Sequence, residues 1–428
     1  MTNILEHPAV KRFLHYITFD TASVERDPKD ENPAHPSSPG QIVLVDHIRD
    51  ELLEMGAQTD WMLRLPDSSL LVQIPASPGM ENAPHLALAF HVDTYPGVPG
   101  KVDNPIIHHY EGGDIELPNN DIVIPASDLV GLEGTDILTN DGTGLVGGDD
   151  KGGGAVTMTA LEDALAGKIK HGPLTLWVCV DEEIGELGFE HLDPDVVKSW
   201  NMFMTVDGGR LGPIDVACFY CRIFQMTFKG SDAHPGEAPD KLQPSHYAAM
   251  RFAMEMLDFE YDMPEAGIDD PLSSFFYVTN IKGDATETIV NMAPRSFNLD
   301  ESEEMVTVAL KKARRAATEF GCTVEITRNK LATVNNFDCI DPRRHLLVPL
   351  LEAHAEFGIE TSENMVRGGT DGSMLNVKYP DIATPNMGYG SEGIHGRYEN
   401  VCLQQLISSV EVLKNAIVRF GELELPTE

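Results

Sequence analysis

A glycine-rich, charged stretch, Gly147–Gly154, constrains the fold of this chain more than any other segment. It contains Asp149 and Lys151, and its last three glycines open a helix-like run at 152–165. Because glycine has no Cβ, such a run lets the backbone pass close to a crowded centre, where a carboxylate can bridge two cations. A phosphate-binding loop is not indicated, since the Gly-x-x-x-x-Gly-Lys-Ser/Thr pattern is absent. A simple glycine-rich helix cap is the alternative interpretation.

Three apolar, strand-like segments end in acidic or imidazole side chains. His91 and Asp93 follow the first segment, Glu182 and Glu183 the second, and Asp207 the third. Because sites in α/β sheets usually form at the carboxyl ends of strands, we expect these side chains to lie close together. Residues two apart on a strand point to one face, so Asp93 could hold the second ring nitrogen of His91.

A second imidazole, His395, lies in a glycine-flanked loop near the end of the chain. Two imidazoles and at least four carboxylates suit a pair of hydrolytic metal ions, zinc first, although cobalt or manganese could use the same ligands. Each segment alone has a plainer interpretation as a surface His-x-Asp pair, an acidic turn or an ordinary loop. The metal centre is favoured because five such sites occur, each at a predicted strand end or loop.

The order of strand-like and helix-like patterns predicts an α/β protein with an inserted α+β domain. Apolar runs such as 85–92 and 174–180 alternate with helices, as in a mixed sheet flanked by helices. Beyond residue 212 the order becomes strand, helix, strand, strand, helix, strand, which is typical of a small α+β sandwich. We therefore predict a catalytic dimetal domain of residues 1–212 and 332–428, and an inserted lid or dimerisation domain of residues 213–331.

The composition limits the class of partner. The chain has 428 residues and a formal net charge of −37, which disfavours nucleic acid and anionic membranes as partners. An ordinary acidic enzyme and a salt-adapted one both fit this charge. We expect a cytoplasmic protein, since no apolar run is long enough to span a bilayer and the amino terminus lacks a signal-peptide pattern. Cys218 and Cys221 form a CxxC, but a lone pair is weak evidence for structural zinc.

Short segments along nearly the whole chain match a known pattern: His91–Thr94, Asn104–Ile107, Gly112–Ile115, Asp149–Lys151, Asp181–Glu183, Thr205–Gly209, His234–Gly236, Arg367–Gly372 and His395–Gly396. With them the chain resembles the co-catalytic dizinc exopeptidases, a family that includes carboxypeptidase G, succinyl-diaminopimelate desuccinylase and peptidase T. The Gly-Gly-Asp-Ile segment at 112–115 is most similar to peptidase T, the tripeptide aminopeptidase. The resemblance implies a hydrolase that releases the N-terminal residue from tripeptides.

The resemblance also implies a set of metal ligands. His91 and Asp207 would hold one zinc, Glu183 and His395 would hold the other, and Asp149 would bridge the two. Asp149, and not the aspartate that follows it, matches the bridging position of the family.

Four further residues receive roles from the resemblance. Asp93 would orient an imidazole ligand, and Glu182 would be the general base. His234 is similar to a lid histidine that helps to stabilise the oxyanion, in the partner subunit's site of a homodimer joined through the lid domain. Arg367 is similar to the residue that receives the terminal carboxylate of a small peptide substrate, which its planar fork can bind with two parallel hydrogen bonds.

Other functions stay open at this point. A carboxypeptidase, a dipeptidase or an N-acyl amino-acid deacylase would share the architecture, and a catalytically silent binding homologue would share the fold. The chain departs from the family at Cys179–Val180, where Thr-Pro is more frequent, at Ser231–Ala233, and in the poorly matching segment 284–298. These departures leave the metal ligands unchanged but leave the preferred length and side chains of the substrate open.

Overall fold

The computed structural model describes residues 3–25, 34–185, 191–234, 236, 239–262 and 274–425. The helices in these ranges are α1 (Pro8–Tyr16), α2 (Pro39–Glu54), α3 (Gly148–Leu165), α4 (Pro194–Val197), α5 (Ser245–Asp262), α6 (Leu299–Glu319), α7 (Phe337–Ile340), α8 (Val348–Glu356), α9 (Asp371–Leu375) and α10 (Leu403–Gly421). Within the described ranges, no helix has the length and apolar character needed to cross a bilayer.

The strands in the same ranges are β1 (Met62–Arg64), β2 (Leu70–Ile74), β3 (Leu86–His91), β4 (Ile106–His109), β5 (Ile115–Glu116), β6 (Val123–Ile124), β7 (Asp136–Thr139), β8 (Leu174–Cys179), β9 (Met202–Thr205), β10 (Pro213–Cys218), β11 (Tyr220–Lys229), β12 (Phe275–Gly283), β13 (Glu287–Ser296), β14 (Thr323–Thr333), β15 (Ser362–Val366), β16 (Asn386–Met387), β17 (Ser391–Glu392) and β18 (Asn400–Cys402).

The largest sheet is mixed and has eight strands in the order β1-β2-β8-β3-β9-β16-β10-β15. Its central strands β8, β3, β9 and β16 run parallel, whereas β2 runs antiparallel to β8, and β10 runs antiparallel to β16 but parallel to β15. Apolar side chains from α1, α2, α3, α8 and α10 cover one face of this sheet, and a second cluster that includes Trp177, Phe203 and Leu375 covers the other. The predicted mixed sheet flanked by helices is therefore confirmed.

Helix α3 approaches the sheet more closely than any side chain would allow. A Cβ on Gly153 would lie 1.6 Å from the carbonyl oxygen of Val206, and one on Gly154 would lie 2.8 Å from the ring of Phe90. The glycines of this segment thus bring the start of α3 against the carboxyl ends of β3 and β9. The helix begins at Gly148 rather than at residue 152, although the two aspartates at its start keep non-helical backbone angles.

A second sheet lies later in the chain and is antiparallel throughout, with the order β12-β13-β11-β14. Helices α5 and α6 pack on it around Phe224, Phe252 and Met305. The sequence pattern predicts only a short strand near 295–299 here, whereas β13 runs from Glu287 to Ser296. Its asparagine and proline are poor strand formers, so the local pattern concealed most of this strand.

Strand pairing bears on the predicted division into domains. Strand β10 belongs to the large sheet, where it pairs with β15 and β16, although the prediction assigned residues from 213 onward to the insertion. Strand β14 continues to Thr333, past the predicted end at residue 331. The division stays a prediction, and the pairing favours a boundary after Cys218 because β11 already belongs to the second sheet.

Candidate metal centre

The predicted ligands lie at one edge of the large sheet because three neighbouring parallel strands end there. His91 is the last residue of β3, Glu183 follows β8 within a short 3-10 turn, and Asp207 follows β9. Two other segments reach the same edge. Asp149 lies in the first turn of α3, and His395 lies in the loop between β17 and β18.

Asp149 lies between the two imidazoles. Its Oδ1 is 2.9 Å from Nε2 of His91, and its Oδ2 is 3.2 Å from Nε2 of His395. Nε2 of His395 is also 2.9 Å from Oε2 of Glu183, and Nε2 of His91 is 3.8 Å from Oδ1 of Asp207. The structure therefore brings the five predicted ligands together, with one carboxylate in contact with both histidines.

Asp93 is buried beside the cluster and contacts two segments at once. Nδ1 of His91 lies 3.1 Å from the backbone carbonyl oxygen of Asp93 and 3.4 Å from its carboxylate. The carboxylate accepts the backbone N–H groups of Glu182 and Glu183, each at 3.1 Å, and the hydroxyl of Ser23 at 2.5 Å. The predicted role was to orient His91, and the contacts add a second one, because Asp93 also holds the turn that presents the two glutamates.

The first acid of the same turn, Asp181, serves a different purpose. Its backbone is left-handed, with φ of 57°. Its carboxylate accepts the backbone N–H of Ser37 at 2.8 Å and the side-chain amide of Gln41 at 2.7 Å, both near the start of α2. Asp181 therefore fixes the turn to a neighbouring helix, while Glu182 and Glu183 continue toward the cluster.

Glu399 is a buried carboxylate that the sequence analysis did not single out. It accepts the backbone N–H groups of Val146, Gly147 and Asp149 at 2.7, 2.8 and 3.0 Å. Burial raises its pKa to about 7, against the opposing effect of these hydrogen bonds. A single glutamate four residues after His395 has no distinctive sequence pattern, so only the folded arrangement reveals it.

The electrostatics of the cluster depend on burial and on close charge. Burial raises the pKa of Glu182, and burial together with Asp149 raises that of Glu183 to about 8. Burial alone would lower the pKa of His395, but its hydrogen bonds with Asp149 and Glu183 outweigh that effect and raise it to about 11. The pKa of His91 is raised in the same way, by its carboxylate neighbours. The cluster thus concentrates negative charge that positive charge must balance.

The donor set fits divalent cations. The side chains form two groups of three in which the possible ligand atoms all lie within 4.8 Å of one another. One group is His91, Asp149 and Glu183, and the other is His91, Asp150 and Asp207. Among the residues that the structure describes, Oε1 of Glu183 and Oδ2 of Asp150 are buried and have no hydrogen-bond partner. Buried carboxylate oxygens that no described group satisfies are suited to a cation, and mixed imidazole and carboxylate ligands are those of dinuclear hydrolytic sites.

The structure does not bring the two predicted substrate-binding residues into the cluster. His234 is exposed in the connection between β11 and α5, where its Nδ1 accepts the N–H of Gly236 at 3.2 Å. The proline between them in the sequence lies outside the described residues. Arg367 follows β15, and its guanidinium lies over the ring of Phe275 in the second sheet.

The surroundings of Arg367 include a second arginine that the sequence analysis missed. The guanidinium carbons of Arg367 and Arg295 lie 5.6 and 5.8 Å from the ring centroid of Phe275. Arg295 also donates to the backbone carbonyl of Arg367 at 2.8 Å. Four residues after Arg367 the chain returns toward the cluster, because the buried Asp371 interacts electrostatically with His91 and Asp207.

Comparison with known proteins agrees with this geometry. A family model described as Peptidase family M20/M25/M40 matches residues 139–419. The chain belongs to this family. Peptidases of the family depend on two metal ions. The chain is also 32% identical over 417 residues to Peptidase T of Clostridium perfringens, with 96% of this chain and 98% of that protein covered.

Solved structures show the same fold for this M20 peptidase. A tripeptidase from Staphylococcus aureus has a TM-score of 0.71 at 17% identity, with 98% of this chain and 99% of that chain covered. The aminopeptidase PepT from Bacillus cereus has a TM-score of 0.67 at 18% identity, with coverage of 96% and 98%. The family resemblance inferred from short sequence segments is thus confirmed along the chain.

Metal binding to the M20 peptidase should release protons and strengthen with rising pH. In the ion-free protein both imidazoles hold protons above neutral pH, and a bound ion requires their neutral form. Between about pH 6 and about pH 8, the apparent zinc affinity should rise about tenfold per pH unit for each proton released. Calorimetric titration in buffers of different ionisation enthalpy measures the number of protons, and an affinity independent of pH would contradict the assignment.

Proposed function

We propose that this M20 peptidase is a dizinc tripeptide aminopeptidase. The observation that supports it most is the contact of one carboxylate, Asp149, with both imidazoles, beside the half-buried pair Glu182 and Glu183. The curated relative of nearly equal length is named Peptidase T, and solved relatives are named a tripeptidase and an aminopeptidase. Residue chemistry and kinship therefore point to the same reaction.

The proposed ligands divide into two sets that share one residue. His91 and Asp207 would hold one ion, Glu183 and His395 would hold the other, and Asp149 would be shared by the two sets. Asp150 also lies close to His91 and Asp207, but its carboxylate is fully buried and accepts the N–H of the glycine at 153. Asp149 is preferred because each of its oxygens already faces a different Nε2 atom. Zinc is proposed because imidazole and carboxylate together suit it well.

The residues around the ions perform the proton transfers. Two divalent ions at this site supply Lewis-acid polarisation of a carbonyl and lower the pKa of a water molecule. Glu182 takes the proton from the attacking water and returns it to the leaving amine, which a half-buried carboxyl with a raised pKa is able to do. Asp93 keeps this glutamate in place by accepting its backbone N–H.

Replacing the two adjacent glutamates should separate catalysis from metal binding. Glu182→Gln should keep both ions but lose roughly 10²–10⁴-fold in kcat, the usual contribution of a general acid–base group. Glu183→Gln, the matched change one residue later, should instead lower the metal content. Metal analysis and peptidase kinetics on the same samples measure both effects. A Glu182→Gln enzyme with nearly normal turnover would remove Glu182 from the mechanism.

The peptide's amino terminus separates this proposal from its rivals. An aminopeptidase should cleave a free tripeptide and not its N-acetylated form, whereas a deacylase or a carboxypeptidase should accept the blocked peptide. A silent binding homologue should cleave neither form. A panel of free and acetylated di-, tri- and tetrapeptides therefore tests reaction type and length preference together, and equal rates on all three lengths would reject selection for tripeptides.

The carboxylate of the substrate is proposed to bind Arg367, with Arg295 beside it. Arg367→Met should lower kcat/KM for a free tripeptide about 10–100-fold, as the loss of a charge-assisted hydrogen-bond pair predicts. Amidating the tripeptide's carboxyl end should cause a similar loss in the unmodified enzyme and little further loss in the variant. Arg419→Met on α10 is the control. If the Arg367→Met variant still preferred the free tripeptide over its amidated form as strongly as the unmodified enzyme does, this role would be excluded.

The second sheet and its helices are proposed to join two copies of the chain. Tyr247, Met250, Met254 and Leu257 form a stripe on α5, and each side chain is between 43% and 57% exposed. Arg251 lies beside this stripe, but its apolar side chains are notable in a chain with a net charge of −37, and they suit a second copy of the chain. In such a dimer the exposed His234, just before α5, would be available to the partner subunit's site.

A charge placed in this stripe should produce a monomer with low activity. Met254→Glu should dissociate the dimer because burying an unpaired carboxylate is costly. Thr307→Glu, which adds the same charge to the exposed face of α6, should leave the dimer intact. Light scattering gives the mass, and kinetics on the same fractions give the activity. A fully active Met254→Glu monomer would contradict a role for the partner's His234.

The surroundings in which the enzyme works follow from its composition. All six cysteines are buried free thiols, which is typical of a reducing compartment, so we propose the cytoplasm. The net charge of −37 argues for a small peptide as the partner and against nucleic acid or anionic lipid.

A further inference from the structure

Glu399 is a buried acid to which the proposed mechanism gives no task. Its relative exposure is 1%, and its two oxygens are directed at backbone N–H groups. Oε2 accepts from Val146 and Gly147, and Oε1 accepts from Asp149. A carboxylate that accepts several backbone hydrogen bonds holds a turn firmly, because each of these bonds is charge-assisted.

Glu399 also closes the loop that presents His395. Strands β17 and β18 pair as a hairpin, and the loop between them runs from Gly393 to Glu399. At the base of this loop the N–H of Glu399 donates to the carbonyl oxygen of Gly396 at 3.2 Å. One residue therefore joins the His395 loop to the turn that contains Asp149.

The space around this turn shows that the contact is built closely. A Cβ on Gly148 would lie 3.1 Å from Oε1 of Glu399 and 2.7 Å from the hydroxyl of Ser391. On the same turn, the hydroxyl of Tyr389 donates to the carbonyl oxygen of Gly148. Strand β18 also pairs with β7 along Asn400–Cys402, so the backbone of the hairpin is attached to the fold independently of the Glu399 carboxylate. The contacts of the carboxylate itself are with the turn at 146–149.

We propose that Glu399 is a positioning residue that sets Asp149 against His395 and thereby tunes the affinity for the ion that these two residues share with Glu183. The inference rests on the proposed dimetal function. In this proposal Glu399, which is not itself a metal ligand, sets the spacing between Asp149 and His395, two ligands from distant parts of the chain. Residues that orient metal ligands in this way typically affect metal affinity about 10–100-fold.

Glu399→Gln tests the proposal because it preserves size while replacing one oxygen by an amide group that cannot accept. The one remaining oxygen cannot accept both from the N–H groups of Val146 and Gly147 and from that of Asp149. Metal-stripped wild-type protein should bind two zinc ions in chelator competition, and the variant should lose affinity for one of them about 10–100-fold. Excess zinc should restore kcat without a change in KM, which a general loss of structure would not allow.

Glu255→Gln is the matched control. Glu255 is 6% exposed and pairs with Arg315 at 2.7 Å in the second sheet's helical layer, far along the chain from the cluster. The same chemical change there should alter thermal stability but should leave the affinity for each of the two zinc ions unchanged. Should Glu399→Gln fail to fold, Glu399→Asp provides the measurement, since it keeps both oxygens but shortens their reach and should also weaken one zinc ion.

The outcomes distinguish this inference from the function on which it rests. Wild-type protein that binds fewer than two zinc ions would overturn the dimetal function itself. Wild-type protein with two zinc ions, together with a folded Glu399 variant that binds both equally tightly, would overturn only the role of Glu399. Selective weakening of one ion, with the Glu255 control unchanged, would support it.

Discussion

The contact of Asp149 with two imidazoles is the interaction on which the site depends. One carboxylate can face both Nε2 atoms only if the start of α3 lies between the end of β3 and the β17–β18 loop. That position requires α3 to approach the sheet without side chains, as the glycines at 153 and 154 allow. The glycine-rich segment therefore contributes to the metal centre by letting the start of α3 pack against the sheet, which places Asp149 between the two histidines.

Negative charge in the cluster links metal binding to folding. Burial raises the pKa of Glu182, Glu183 and Asp207, so these groups resist ionising together at one edge of the sheet. In the ion-free protein, protonated imidazoles balance part of this charge. Divalent ions balance it more completely, and because the ligands converge only in the folded chain, their binding stabilises the fold.

The strands and site residues that could be predicted are those whose signal lies in a short, continuous stretch of sequence. Strands β3, β8 and β9 are continuous apolar runs followed by acids or histidine, so both the strands and the position of the site could be predicted. His395 and its partners needed the family resemblance, because a histidine in a loop has no periodic pattern. Strand β10 pairs within the large sheet although its residues fall in the predicted insertion, because the residues of a single strand do not show which strand it will pair with. Glu399 and Arg295 act through backbone and ring contacts, which no linear motif indicates.

The acids of this site divide into those that face one another and those that face the backbone, and together they form a closed circuit. Glu399 holds the turn of Asp149, which contacts His91 on β3. Asp93, two residues later, holds the turn that presents Glu183, and Glu183 contacts His395. His395 lies on the same loop as Glu399, which completes the circuit. Because four of the proposed ligands are linked through Glu399 and Asp93, four distant parts of the chain set one another's positions, and the spacing of these ligands depends on the whole circuit.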